Sequence, residues 1–123
     1  MTAAPTYVGI DVAKNRLDIA MHPSGECQQV GNDERGIRYV VSHLRKVSPT
    51  LVILEATGGL EQRVAAALAG AGLPVAVVNP RQVRDFAKAV GKLAKTDTLD
   101  AKVLAHFAEA VRPEPRPLPD EQA

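Results

Sequence analysis

The chain has no tryptophan, and aromatic residues make up only 3% of it. That argues against the stacked aromatic platforms on which single-stranded nucleic acids are held. Cys27 stands alone, which excludes an internal disulfide and fits a reducing cytoplasm. No apolar run approaches the ~20 residues a membrane span needs. The opening MTAAPT has neither the basic start nor the apolar stretch of a secretory signal. A net charge of +1 announces no polyanion partner, so any nucleic-acid role must come from local placement of charge. Neither Cys27 nor His22, His43 and His106 fall at metal-ligand spacing, and the three histidines are expected to be ordinary surface residues. Together these absences predict one soluble, cytoplasmic domain without a membrane partner.

What is present begins with alternation. In YVGIDVA, residues 7–13, Val8, Ile10 and Val12 share one strand face, leaving Asp11 beside Gly9 on the other. Lys14-Asn15 turns into a second strand over 17–21, and Pro23-Ser24-Gly25 into a short third over 27–30. The period then changes. Asn32 is the expected cap of a helix carrying Ile37, Val40, Val41, Leu44 and Val47, which Pro49 ends. Leu51–Leu54 reads as a strand buried on both faces, followed at once by Glu55. Thr57-Gly58-Gly59 leads into an alanine-rich helix with Leu60, Val64, Ala67 and Leu68 inward, closed near Gly70 or Gly72. Residues 74–78 form another strand, and Asn79-Pro80 opens a helix with Val83, Phe86, Ala87 and Val90 on one side. A last helix is expected from about Asp97 to Val111, before a proline- and charge-rich tail. A meander followed by helix–strand alternation predicts an α/β fold with a mixed sheet.

Acidic residues in KTDTLDA form the most informative stretch. With Asp97 as origin of the last helix, Asp100 lies at about −60°, inside the apolar arc of Ala101, Leu104 and Ala108. A plain helix cap accounts for Asp97 but leaves Asp100 facing inward. Asp11 and Glu55 each close an apolar strand, and in open α/β sheets ligands collect at the carboxyl ends of strands. Two carboxylates ~4 Å apart repel by ~4 kcal/mol at an effective dielectric near 20. Four converging carboxylates therefore call for cations, and oxygen-only ligands select Mg²⁺, or Mn²⁺ in its place, over zinc. Two such ions would suit phosphoryl transfer.

Arg81, Arg84, Lys88, Lys92 and Lys95 recur every three or four residues. If the helix continues through Gly91, they form a line able to track a phosphate backbone; a plain solvated helix face is the equal alternative. Two other functions remain in view. An ATPase or sugar kinase of the actin-like superfold also opens with a GID strand, but Val12-Ala13-Lys14-Asn15 lacks the glycine-rich phosphate turn it would need. A non-catalytic nucleic-acid-binding module would use the basic helix alone.

Taken together, YVGIDVAKNRLDIA, LEATGG and NPRQVRDFAKAVGKLAKTDTLDA resemble the DEDD transposases of bacterial insertion sequences, the group that includes the Piv-type DNA invertases. The resemblance implies a RuvC-like domain of ribonuclease H-like fold: a five-stranded mixed sheet in order 3-2-1-4-5, flanked by helices, with the second strand antiparallel. It assigns a catalytic and metal-binding tetrad to Asp11, Glu55, Asp97 and Asp100. It further implies Mg²⁺-dependent DNA strand cleavage and exchange in the bacterial nucleoid, guided by an RNA from the element. The full-length protein is expected to be a homo-oligomer. Residues 5–112 would be the catalytic domain and 113–123 a linker toward a C-terminal domain carrying a serine nucleophile, without which the activity is incomplete.

Overall fold

The computed structural model describes residues 5–91 and 100–115. Five strands, β1 (Tyr7–Val12), β2 (Arg16–His22), β3 (Cys27–Gly31), β4 (Leu51–Glu55) and β5 (Val75–Val78), form a single sheet in order β3-β2-β1-β4-β5. β2 runs antiparallel to both β1 and β3, whereas β1, β4 and β5 are parallel. This is the mixed, ribonuclease H-like arrangement expected.

Helices cover both faces. On one, α1 (Glu34–Val47) and α2 (Gln62–Gly70) enclose Val8, Ile10, Val12, Val52 and Leu54 with their own Ile37, Val40, Leu44, Val64 and Leu68. On the other, α3 (Pro80–Ala89) and α4 (Ala101–Val111) pack Val83, Ala87, Leu104, Phe107 and Ala108 against Tyr7, Leu51, Ile53, Ala76 and Val78. Strand alternation does this sorting: odd positions of β1 face α4 and even positions face α1 and α2.

Where local signals compete, the outcome differs from the expected one at four points. Asp33, not Asn32, caps α1, its Oδ1 accepting from the Gly36 amide at 2.8 Å. Asn32 donates its side-chain amide to the Ala13 carbonyl at 2.8 Å, a bond that a carboxylate, having no donor, cannot make. α2 begins only at Gln62, and Leu60 is 44% exposed because Glu61 takes the inward position instead. α3 stops at Ala89, with Gly91 at φ +73°, so Val90 is 44% exposed rather than continuing the buried side. Lastly, α4 begins at Ala101. Asp100, expected within the helix, has extended backbone angles (φ −129°, ψ 176°) and is its N-cap.

The histidines are also more engaged than expected. His22 stacks on His106 with ring centroids 5.4 Å apart, His106 meets the edge of Phe86 at 5.1 Å, and His43 stacks on Tyr39. His22 lies opposite Tyr7 in the β1–β2 pair, at the end of the sheet away from Asp11.

Candidate acidic active site

Three of the four predicted carboxylates lie within the described residues, and the fold brings them to one end of the sheet. Asp11 is the fifth residue of β1, and Glu55 is the last of β4. These strands are parallel neighbours in the register Ile10↔Leu54, so one step further places Asp11 and Glu55 side by side. Both belong to the face covered by α3 and α4. They reach it at the carboxyl ends of central strands, where side chains leave the packed core without losing its shelter.

Asp100 arrives by a different route. Gly9, two residues before Asp11 on the same face, lies directly under α4. A β-carbon there would run into the Ala101 carbonyl, the Ala105 amide and Leu104 Cβ. Only glycine permits this backbone-to-backbone approach. The approach sets the first turn of α4 over β1, and with it the capping Asp100, whose Oδ1 accepts from the Val103 amide at 2.9 Å. Asp100 is exposed. The expected inward-facing helical position is thus replaced by a cap close enough to Asp11 to repel it. Asp97, Lys92 and Lys95 lie outside the described residues.

The electrostatics follow from this crowding. Burial raises the Asp11 carboxyl above its ordinary value, Asp18 pushes it further, Arg16 partly opposes, and Asp100 adds a smaller push. Burial likewise raises Glu55, helped by the Asp11 charge and opposed by Arg84. These ionised forms are costly without a counter-charge. The donor set is all oxygen, the preference of a hard divalent cation, which fits Mg²⁺ or Mn²⁺ better than zinc. Among the described residues, no three acidic, histidine or cysteine side chains converge closely enough to enclose a metal by themselves. A complete shell therefore needs further donors.

Asp18 was not anticipated. It stands opposite Asp11 in the β1–β2 register, and its carboxylate is fixed by Arg16 Nε at 3.0 Å and Gln29 Nε2 at 2.8 Å. Counting back through the hairpin from Ala13 and Arg16, whose backbones are bonded at 2.8 Å, pairs 12 with 17 and 11 with 18. The signal was therefore present in the turn. A cleft of about 450 Å³ lined by Asp18, Gln28, Gln29, Asp100 and Lys102 leads from this group toward β3.

Glu61 was also missed. It is 8% exposed, and its Oε1 accepts from the Thr57 amide at 2.9 Å, the Thr57 hydroxyl at 2.9 Å and the Gly59 amide at 3.2 Å. Burial would raise its carboxyl, but these bonds and its own amide outweigh that and hold it below the usual range. It anchors the loop that leaves Glu55.

Of the expected basic line, Arg81, Arg84 and Lys88 are all exposed on α3. Arg84 is near enough to Glu55 to favour its charged form. The line does not continue as one helix, because α3 ends before Gly91.

Comparison with known proteins places this geometry in context. A family model for DEDD transposases of the IS110 type, described as Transposase, matches residues 8–123. Pilin gene-inverting proteins of Moraxella lacunata and Moraxella bovis are each 31% identical over 114 residues, covering 88% of this chain. The chain spans 35% of the length of these curated relatives. The solved structure of T. thermophilus RuvC in complex with Holliday junction substrate is similar at a TM-score of 0.60 and 16% identity. That match covers 92% of this chain and 100% of that one. At such identity the match speaks for the fold alone.

Proposed function

This chain belongs to the DEDD transposase family, and from that membership we propose that it is the catalytic domain of a metal-dependent enzyme that cuts and exchanges DNA strands. The observation that carries the reading is the adjacency of Asp11 and Glu55 on neighbouring parallel strands, with Asp100 held near Asp11 by the α4–Gly9 contact. Asp11, Glu55, Asp97 and Asp100 would hold the metal, Mg²⁺ or Mn²⁺ and two ions in number. The chemistry such ions supply when bound is charge stabilisation at the attacking and leaving oxygens of a phosphoryl transfer.

The chain's own residues do the remaining work. Asp18, through its bonds to Arg16 and Gln29, keeps a fixed negative charge beside Asp11. Arg84 balances Glu55 from α3, and Arg81, Arg84 and Lys88 lead a phosphate backbone toward the carboxylates. On this reading residues 5–112 are the catalytic unit and 113–123 lead to a further domain. The longer protein works as an oligomer in the cytoplasm on DNA, with a guide RNA of its element. Among the described residues, no helix is long and apolar enough to cross a membrane.

Manganese titration followed by thermal unfolding tests the proposal. The wild-type chain should be stabilised in a saturable way, and Asp11→Ala and Asp97→Ala should each weaken the response. A wild-type melting curve indifferent to Mn²⁺ and Mg²⁺ would refute a metal-dependent site.

A further inference from the structure

The layer opposite the carboxylates carries a charge pattern that the proposed reaction leaves unused. α1 turns Ile37, Val40 and Leu44 into the core. Arg35, Arg38, Arg45 and Lys46 then fall within an arc of about 100° on its outer side, at 100° per residue. All four are exposed, and so is Arg63 of α2, across the groove between the helices. The groove opens as a cleft of about 800 Å³ with Ile37, Val41 and Ala67 as its floor and Arg38, Arg45 and Lys46 on its rim. A second cleft of about 650 Å³ continues it past Arg38 to Arg63. Opposing charge on α1 is confined to its start, at Asp33 and Glu34. Arg38 approaches Glu34 at 3.9 Å, but with side chains 74% and 86% exposed the pair is screened by water.

Beside this row stands Tyr39, 47% exposed. Its ring stacks on His43 at 5.8 Å and its hydroxyl donates to Gln28 Oε1 at 3.1 Å, so the ring is held in place. We propose that the α1–α2 groove is a second nucleic-acid surface, one that grips the phosphates of a duplex segment other than the one at the carboxylates.

Three observations favour a duplex over other polyanions. From Arg35 to Lys46 the row runs ~16 Å at 1.5 Å per residue, enough to follow several phosphates at about 3.4 Å of duplex axis each. A single strand would need several stacking rings, and α1 offers Tyr39. A membrane surface would need several apolar side chains flanking the cations for insertion, whereas the outer side of α1 carries Ser42 and charged residues beside the single ring of Tyr39, which is tied down by its bond to Gln28. The inference does not depend on the carboxylates being catalytic.

Binding of a fluorescein-labelled DNA duplex to the chain, followed by anisotropy over a range of salt in EDTA, tests it without metal. Arg38→Glu with Arg45→Glu should weaken binding about tenfold or more and flatten the salt dependence by roughly two ions. Arg38→Gln with Arg45→Gln should do so to a lesser degree, with circular dichroism unchanged in both. Arg84→Glu with Lys88→Glu, on the other face, weakens a separate surface, so in that background the α1 substitutions should lower the remaining duplex affinity by at least as large a factor as they do in the wild-type chain. Loss on the α1 side alone supports the groove and removes α3 from the proposed function. Wild-type affinity and salt dependence in both α1 variants overturns the groove. So does an effect confined to phosphatidylserine vesicles, which would make it a membrane surface.

Discussion

Gly9→Ala tests whether the α4–β1 contact sets the site. The added β-carbon would stand 2.7 Å from Leu104 Cβ and nearer still to the Ala101 carbonyl and Ala105 amide. Ordinary carbon contacts lie at about 3.5–4.0 Å, so α4 would have to withdraw by roughly 1 Å. Two of the three obstacles are backbone, which no rotamer change can move aside. The whole helix must lift, loosening Leu104 and Ala108, both fully buried, from the sheet. Overpacking of this kind costs ~1–3 kcal/mol and occasionally more, and a backbone obstacle belongs at the upper end. At ~4–8 °C per kcal/mol, the melting temperature should fall by about 10–20 °C. Calorimetry or circular dichroism would measure it, with Gly70→Ala as the control. Gly70 ends α2 with nothing within 4 Å of a new β-carbon, so the same substitution there should gain a few tenths to ~1 kcal/mol. Any Gly9→Ala protein that still folds should also show a weaker Mn²⁺ response, because Asp100 moves with α4. A melting temperature within about 2 °C of wild type would refute the reasoning.

Two further outcomes concern the carboxylates. Asp11 and Glu55 bind their protons more tightly in the folded chain than in the unfolded one, so metal-free stability falls as pH rises above their ordinary values of 3.8 and 4.5 and through the raised ones. Asp11→Asn should therefore make the EDTA-treated protein more stable than wild type at neutral pH and flatten its pH dependence, with the ranking reversed in excess Mn²⁺; denaturant titrations at several pH values would detect either failure. Asp100→Ala should cost ~0.5–2 kcal/mol through loss of the cap, whereas Asp100→Asn, still a good cap, should keep the fold and weaken the metal response; equal destabilisation by both would mean that capping is not what Asp100 contributes.

Much of this arrangement was legible because it depends on short-range periodicity. Val8, Ile10 and Val12 alternate, so Asp11 had to share a face with Gly9, and Leu51–Leu54 is so apolar that Glu55 could only mark its exit. The rest was decided by side-chain bonds to nearby backbone and, at Gly9, by packing far along the chain. Asp100 fits the apolar arc of an extended last helix, but its side chain satisfies the Val103 amide better from outside the helix, and the local hydrogen bond wins over the periodicity. Leu60 looked inward by spacing, yet Glu61 is the buried residue, since three donors of the loop converge on it. The reason for Gly9 lies ninety-odd residues downstream, in the backbone of α4, where no pattern around position 9 could reveal it.

The near-neutral charge of the chain conceals a division between its two layers. Asp11, Asp18, Glu55 and Asp100 crowd one end of the sheet on the α4 side, while Arg35, Arg38, Arg45, Lys46 and Arg63 gather on the outside of α1 and α2. A phosphate backbone approaching the first group without cations meets repulsion, with Arg84 as the charge that offsets Glu55. Approaching the second, it meets attraction under any conditions of metal. On the proposed function, the energetically open order is contact through the basic residues first, with the carboxylates engaging phosphate only once cations have neutralised them. If the proposed function holds, cutting would be conditional on metal and holding would not, and duplex binding that is undiminished in EDTA is the outcome this charge distribution predicts.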